Sequence, residues 1–355
     1  MKRSAMYPVV VIAFLSLVPM MGCPSPARPN AAFQVNPRVG AAPLEAHFTD
    51  QSTVSKASIT SWKWEFGDGT TSSIQNPVHT YSTAGIYDVK LTVKSSGGSD
   101  TETKTDYVIA DPDGETTTLL NGEVPLTMVW VPAGSFYMGT NAGETGTSAM
   151  EQPKHEVEFS QGFWIGKYEV TKAQWKAIMH TEPWNEGGED PYDPPSSPAQ
   201  YVDWYDTQTF ISALNTATAD TYRLPTEAEW ECACRAGTTG RFYWGEDVGD
   251  ILIGNYAWWA GNAGNYAHNV GGKLPNALEI YDMSGNVWEW CQDWYGGYPS
   301  VKVTDPTGPG TGTLKILRGG SWYSPGANSN RSAQRNAWAP ESLYYDFGFR
   351  LCKFD

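Results

Sequence analysis

Short runs of alternating apolar and polar residues dominate residues 32–110 and predict β-strands. Residues 86–93 place Tyr87, Val89, Leu91 and Val93 on one face, and residues 62–66 alternate aromatic and polar side chains in the same way. Glycines between such runs supply tight turns, because glycine accepts positive φ angles. A segment of this length, made of short strands and turns, predicts a small antiparallel β-sandwich.

The pattern changes beyond residue 118, where helix starts replace regular alternation. Thr171 and Thr226 are each followed three positions later by Gln or Glu, the spacing of a capping box, and they predict helices over residues 173–179 and 230–236. Asp203 is expected to cap a third helix that runs to residue 214. The stretches between these helices are rich in Gly, Asn, Pro and aromatic residues without any period. They predict an α+β domain with little regular secondary structure, held by side-chain hydrogen bonds or bound ions.

Composition and charge exclude several classes of protein. The 16 Trp exclude a disordered chain, which is poor in aromatic residues, and the 36 Gly exclude a long-helix protein. The formal charge of −15 and the isoelectric point near 4.7 give no support to nucleic-acid binding, because an acidic surface repels phosphate. Residues 111–355 hold 31 acidic and 15 basic residues, a balance that suits solubility or cation binding.

The amino terminus has the order of an export signal. Lys2 and Arg3 precede an apolar run over residues 9–18, too short to span a bilayer comfortably, and Gly22-Cys23 at its end resembles a bacterial lipobox. We therefore expect a signal peptide over residues 1–22, acylation of Cys23 and a polar tether over residues 23–31. This predicts a membrane-anchored lipoprotein of the bacterial cell envelope or surface, with ordinary secretion as the alternative.

Four other cysteines remain, at positions 232, 234, 291 and 352. Outside the cytoplasm such residues oxidise readily. Cys232 and Cys234 diverge around a predicted helix and are not expected to pair with each other. A disulfide between Cys234 and Cys352 is one interpretation, and four buried free thiols are the other.

Residues 32–110 resemble a PKD domain. The motifs that carry the resemblance are Trp64-Glu-Phe-Gly-Asp-Gly69, Asn76-Pro-Val-His-Thr-Tyr81 and Gly85-Ile-Tyr-Asp-Val-Lys-Leu-Thr-Val93. The resemblance covers the whole segment. It implies an immunoglobulin-like spacer or adhesion module without catalysis, joined by a linker over residues 111–117 to the domain that follows.

Residues 118–355 resemble the formylglycine-generating enzyme (sulfatase-modifying factor) family along essentially their full length. The ordered motifs are Val129-Trp-Val-Pro-Ala-Gly-Ser-Phe-Tyr-Met-Gly139, Glu169-Val-Thr-Lys-Ala-Gln-Trp175, Arg223-Leu-Pro-Thr-Glu-Ala-Glu-Trp230, Gly285-Asn-Val-Trp-Glu-Trp290, Arg318-Gly-Gly-Ser-Trp322 and Gly348-Phe-Arg350. The resemblance implies a C-type-lectin-like α+β fold. In the family, active members oxidise a sulfatase cysteine to formylglycine with oxygen and a Cu(I) ion held by two cysteines.

The copper cysteines of the family have no counterpart here. Counted from the Arg-Gly-Gly-Ser motif, their positions fall on Ser324 and Ser329. Cu(I) selects soft thiolates over neutral hydroxyls, so copper is not expected and the oxidase reaction should be absent. Trp288 and Ser321 match residues of the family's active-site pocket, and their other interpretation is core packing and a turn hydrogen bond. We therefore expect a pocket without its metal, formed by these four residues.

Calcium is the ion that the resemblance supports. The family's calcium-binding stretch matches residues 281–289, with carboxylate oxygens from Asp282 and Glu289 and carbonyl oxygens from Gly285 and Val287. Oxygen ligands of both kinds suit a hard, flexibly coordinated cation. A weaker second site maps onto Asn255 and Asn262. The acidic loop over residues 182–193 is interpreted as a solvated surface loop rather than a third cation site.

Together these features predict an exported protein in which a PKD-like spacer presents a calcium-stabilised domain of the sulfatase-modifying-factor type. The expected role is binding or assembly, with a protein or glycan ligand, on fold-level analogy alone. The alternative is an enzyme, which either generates formylglycine on a protein cysteine by another route or runs a different reaction in the pocket around Trp288.

Overall fold

A computed structural model describes residues 28–40, 42–83, 85–110, 115–184 and 194–353. The predicted signal peptide, the acylation site Cys23, part of the tether, the linker residues 111–114 and residues 185–193 of the acidic loop lie outside these ranges. No helix in the described ranges combines the length and the hydropathy needed to cross a bilayer.

The N-terminal domain is the expected antiparallel β-sandwich. A sheet in the order β1-β3-β6 faces a sheet in the order β2-β8-β7-β4-β5, in which β2 runs parallel to β8. Trp64, Val89, Leu91 and Val93 are fully buried in its core, as the alternation predicts. Its strands are β1 (Phe33–Asn36), β2 (Val39–Gly40), β3 (Leu44–Asp50), β4 (Ile59–Glu65), β5 (Thr71–Ser72), β6 (Val78–Tyr81), β7 (Gly85–Ser95) and β8 (Gly98–Ala110).

The C-terminal domain is α+β with short strands and long irregular connections, as predicted. Its sheets have the orders β19-β13-β10-β9, β11-β12-β15 and β17-β16-β14-β18. The strands are β9 (Glu115–Leu120), β10 (Val124–Val131), β11 (Gly134–Met138), β12 (His155–Phe159), β13 (Phe163–Gly166), β14 (Trp288–Trp294), β15 (Val303–Thr304), β16 (Lys315–Arg318), β17 (Arg335–Trp338), β18 (Phe347–Gly348) and β19 (Cys352–Lys353).

The helices begin at the caps that the sequence indicates. They are α1 (Lys172–Met179), α2 (Trp204–Thr218), α3 (Glu227–Arg235) and the short α4 (Ile253–Tyr256). Thr171, Asp203 and Thr226 each form a complete capping box with the residue three positions on, which satisfies backbone N–H groups at the helix start. Two predicted bounds differ by more than one residue: α2 runs on to Thr218, and α3 already begins at Glu227.

Candidate functional site

The turn over residues 319–324, here called the serine turn, follows β16 and depends on two glycines. Gly319 and Gly320 have φ angles of 94° and 78°. A Cβ atom on Gly320 would lie 2.6 Å from the carbonyl oxygen of Ser329. Glycine is therefore required here for its backbone angles and for the close approach of the segment around Ser329.

The serine turn is locked by hydrogen bonds to Asp346. The Ser321 hydroxyl donates to Oδ2 of Asp346 at 2.7 Å, and the Ser321 N–H donates to Oγ of Ser324 at 2.9 Å. The backbone N–H of Trp288 donates to the Asp346 carbonyl at 2.8 Å. Burial raises the pKa of the Asp346 carboxyl. The structure thus brings together three of the four predicted pocket residues, Trp288, Ser321 and Ser324, around an aspartate that the sequence analysis did not single out.

Cys234 and Cys352 contact residues outside the serine turn. Sγ of Cys234 lies 3.7 Å from the Met283 carbonyl oxygen, and Sγ of Cys352 lies 3.8 Å from Glu229. All four cysteines of the described residues are free thiols, so the interpreted disulfide between Cys234 and Cys352 is wrong. Cys234 faces the segment before β14, while Cys352 in β19 faces the start of α3. Burial raises the pKa of the Cys234 thiol to about 12, which makes it a poor nucleophile and ligand at neutral pH.

Aromatic side chains surround the serine turn. The rings of Trp322 and Tyr345 lie 5.3 Å apart, and those of Tyr323 and Tyr345 lie 5.4 Å apart. Tyr201 packs against Tyr345 at 6.4 Å. Tyr323 is 56% exposed, so part of this aromatic group faces solvent. Such amphipathic rings provide large contact area at low conformational cost.

Two buried indoles beside the serine turn lack hydrogen-bond acceptors. Trp258 and Trp322 belong to the same hydrophobic cluster, and their Nε1–H groups have no acceptor among the described residues. The Trp258 ring is stacked on His268 at 3.7 Å and also lies 3.7 Å from the Lys273 ammonium. An unsatisfied buried donor costs about 1–3 kcal/mol, so this region favours a ligand that brings acceptor oxygens.

Three buried carboxylates and one guanidinium form an acid cluster behind the serine turn: Glu169, Asp282, Glu289 and Arg350. Arg350 donates to both oxygens of Glu289 at 2.5 and 2.7 Å. Glu169 accepts from the side chain of Asn286 at 2.6 Å and from the Val287 N–H at 3.1 Å. Burial raises the pKa of Glu169 well above its usual range and that of Asp282 to about 6. The cluster therefore has three acidic groups for one guanidinium, and the raised pKa values show that negative charge is unfavourable at this buried position.

The predicted calcium ligands Asp282 and Glu289 lie in this cluster, on either side of the loop that contains Gly285 and Val287. A Cβ atom on Gly285 would lie 2.2 Å from the Trp258 carbonyl oxygen, which explains the glycine. Oε2 of Glu289 accepts from Trp230 and Arg350, whereas Oε1 accepts from Arg350 alone and keeps one lone pair. The described residues contain no group of three His, Cys, Asp or Glu side chains placed for a metal ion. Any cation here would therefore depend on backbone carbonyls as well.

The residues of the weaker predicted site, Asn255 and Asn262, lie at α4 and in the turn that follows it. Oδ1 of Asn262 accepts from the Trp259 N–H at 2.9 Å, and its amide donates to the Ala257 carbonyl at 2.9 Å. Asn255 is exposed at the end of α4. Asn262 thus serves its own turn, and among the described residues no hydrogen bond joins its side chain to that of Asn255. Ser329 likewise contributes backbone contacts and stands apart from the hydrogen bonds of Ser321 and Asp346.

Sequence reasoning missed Glu169, Asp346 and Arg350 as site residues. Glu169 contacts Asn286, which lies 117 positions away, and Arg350 contacts Glu289 across 61 positions. Glu169 is the first residue of one family motif and Arg350 is the last residue of another. Membership in a motif was therefore the signal that could have identified them as site residues. Asp346 lay just before the last motif and carried no signal of its own.

Comparisons with known proteins give matches to both parts of the chain. A family model described as a sulfatase-modifying factor enzyme 1-like domain matches residues 119–354, and a PKD domain model matches residues 26–110. A formylglycine-generating enzyme of Streptomyces coelicolor is 35% identical over 44% of this chain, which spans only 52% of that protein. One from Thermomonospora curvata is 29% identical over 64% of this chain and 93% of its own length.

A solved structure is also similar to the C-terminal domain. PvdO from Pseudomonas aeruginosa is 32% identical, with a TM-score of 0.58, over 65% of this chain and 95% of its own chain. The chain belongs to the sulfatase-modifying factor enzyme 1-like domain family, with a PKD domain preceding the family domain.

Proposed function

We propose that this is an exported, lipid-anchored envelope or surface protein whose PKD domain acts as a spacer for a binding domain without copper oxidase activity. The observation that carries the proposal is the chemistry at the two copper positions, where Ser324 and Ser329 stand in place of thiols. The Ser324 hydroxyl already accepts the Ser321 N–H, so it serves the turn. A hydroxyl is a poor ligand for Cu(I) in any case.

The serine turn also lacks the catalytic base that a serine hydrolase needs. The Ser321 hydroxyl donates directly to Asp346, and no histidine of the described residues bonds to either group. Without a base between them, the serine is not activated as a nucleophile. The exposed ring of Tyr323 and the unpaired indole N–H groups of Trp258 and Trp322 instead favour binding. A protein or glycan ligand, with aromatic contacts and acceptor oxygens, fits these donors.

The oxidase alternative has a direct test. Given Cu(I), oxygen and a Cys-x-Pro-x-Arg peptide, the purified protein is expected to leave the peptide thiol intact and form no aldehyde, as read by mass spectrometry. A Ser324→Cys/Ser329→Cys double variant is the matched control and is expected to gain Cu(I) binding in competition with a chelator. Conversion of the peptide by the unmodified protein at enzymatic rates would show that the non-oxidase proposal is wrong.

The proposal of a lipid anchor is based on Lys2, Arg3, the apolar run over residues 9–18 and Cys23. Cells that express the full chain are expected to incorporate labelled palmitate into it and to retain it in the membrane fraction. Cys23→Ser should abolish the label, because no acylated residue would remain. Label that persists in Cys23→Ser would contradict the anchor, and Cys232→Ser serves as the matched control.

We further propose calcium as a structural ion of the acid cluster. Three buried carboxylates face one guanidinium, and Oε1 of Glu289 retains a lone pair. Asp282 and Glu289 would supply carboxylate oxygens, with carbonyls of Gly285 and Val287 between them. When bound, the ion would neutralise buried charge and fix the loop that leads into β14.

A further inference from the structure

A cavity of about 350 Å³ opens between the N-terminus of α3 and residues 296–309, and it shares no lining residue with the serine turn. Its walls are largely apolar and are formed by Met138, Trp294, Tyr298, Pro299, Pro306 and Pro309. The volume is at the lower end of that of small-molecule sites, about 300–1,000 Å³. The cavity therefore suits a ligand with a short apolar body.

Asp293 supplies a buried acceptor in this cavity. Its side chain is 5% exposed, and Oδ2 accepts the N–H of Glu227, the first residue of α3, at 2.9 Å. Its other oxygen, Oδ1, receives no hydrogen bond from any residue that the structure describes. A Cβ atom on Gly308 would lie 2.8 Å from Oδ1, which places this oxygen towards the wall formed by residues 296–309. A carboxylate on a largely buried side chain is destabilised when one of its oxygens has no donor, and a ligand in the cavity can supply that donor.

The other charges of the cavity are matched. Arg335 donates to both oxygens of Glu227 at 2.8 and 2.5 Å and also to the carbonyls of Met150 and Gly296. The Tyr298 hydroxyl donates to the same Glu227 carboxylate at 3.2 Å. Among the described lining residues, Asp293 is thus the charge without a direct partner.

His155 adds a second acceptor. It is 5% exposed, and its Nδ1 lies 3.1 Å from the Pro153 carbonyl oxygen. A carbonyl only accepts, so Nδ1 carries the hydrogen, and in the neutral ring Nε2 is an acceptor. Nε2 has no partner among the described residues. Both open positions of the cavity, on Asp293 and on His155, therefore call for hydrogen-bond donors on the ligand.

We propose that this cavity binds a primary ammonium group on a short apolar chain, with the ammonium donating to Oδ1 of Asp293. An alkylammonium has donors for both open acceptors, a charge opposite to that of Asp293 and a body that fits the apolar walls. A carboxylate or phosphate ligand would meet Asp293 and Glu227 as like charges, and a neutral alcohol would leave the aspartate uncompensated.

Titration of Asp293 supports the same ligand class. Burial, together with the nearby Glu227, raises the pKa of Asp293 to about 7. Glu229 on α3 adds to this effect, and Lys315 on β16 opposes it. Because the carboxylate is lost as the pH falls through 7, binding of an ammonium should weaken from pH 8 to pH 6.

The test measures binding of n-hexylamine to the protein by calorimetry at pH 8, beside hexan-1-ol and hexanoate of the same length. Hexylamine is expected to bind and the other two are not. Asp293→Asn keeps an oxygen for the Glu227 N–H but loses the charge, so it should fold normally and bind hexylamine at least tenfold more weakly. Glu341→Gln removes a charge at an exposed position that does not line the cavity and should bind as the unmodified protein does.

Nα-acetyl-lysine-N-methylamide distinguishes the two sources of such a group. Tighter binding of this compound than of hexylamine would assign the cavity to a lysine side chain of a partner, and weaker binding would assign it to a free amine. Either ranking supports an ammonium site. Equal binding of hexan-1-ol or hexanoate, unchanged binding by Asp293→Asn, or no binding of either amine would overturn the proposal.

Discussion

Arg350→Met is expected to lower the free energy of unfolding by about 3–5 kcal/mol, the usual effect of removing one partner from a buried ion pair. Arg350 is fully buried and bridges both oxygens of Glu289. It also donates to the carbonyls of Gly166 and Tyr281. Methionine fills similar volume but leaves Glu289, Asp282 and Glu169 without a guanidinium. The loss comes mainly from these uncompensated charges.

Denaturant unfolding of the purified variants measures this effect. Arg350→Lys keeps the charge but cannot bridge both oxygens of Glu289, so its midpoint should fall between those of Arg350→Met and the unmodified protein. Lys302→Met removes an exposed lysine that pairs with Glu156 and Glu158, and it should unfold like the unmodified protein. A midpoint for Arg350→Met within the scatter of the Lys302→Met control would refute the assigned role of Arg350.

The features that the sequence predicted well are local ones. A capping box requires two residues three positions apart, and both helix starts that it indicated, at Thr171 and Thr226, are present. The start predicted from the cap residue Asp203 is present as well. The strands of the sandwich are also local, since alternation alone decides which face is buried. The end of α2 was placed too early because no glycine or proline marks it. There Ala219 adopts a left-handed conformation at φ 57°.

The features that the sequence did not predict are long-range ion pairs. Arg331 donates to Glu151 across 180 positions, Arg335 to Glu227 across 108, and Arg318 to Glu231 across 87. Nothing in composition or spacing pairs residues at such distances. These arginines are buried. Arg318 in β16 and Arg335 in β17 connect their strands to α3, which carries Glu231 and Glu227, and Arg331 connects the segment between the two strands to the one around Glu151. These ion pairs hold the irregular segments in place, a role for which the sequence predicted side-chain hydrogen bonds or bound ions.

The sequence predicted only part of the candidate site, because it does not show which distant residues pair. The residues of the serine turn come from one motif and were expected together, whereas their partner Asp346 arrives from a separate strand connection. The disulfide interpretation failed because Cys234 and Cys352 face different segments. Motif order shows which segments meet, but contacts between their side chains depend on packing that the sequence does not display.

Removal of calcium is expected to lower the unfolding midpoint of the C-terminal domain by several degrees. A ligand present at a thousand times its dissociation constant adds about 4 kcal/mol to the free energy of unfolding. In a domain of this size each kcal/mol changes the midpoint by about 2–4 °C. The reason lies in the acid cluster, where Glu169, Asp282 and Glu289 are buried around one guanidinium, that of Arg350, and where Lys273 adds a positive charge near Asp282. A bound divalent cation removes repulsion that the folded chain otherwise bears.

Melting curves with calcium, with magnesium and with a chelator test whether calcium binds the acid cluster. Only calcium tolerates mixed carboxylate and carbonyl oxygens in irregular geometry, so magnesium should not replace it. Asp282→Asn keeps an oxygen for the Gly271 N–H, which donates to Asp282 at 2.6 Å, but it loses the charge. This variant should need more calcium for the same midpoint, whereas Glu341→Gln should not. Identical midpoints in calcium and in chelator, together with an unchanged Asp282→Asn titration, would mean that the cluster balances its charge by protonation and binds no calcium.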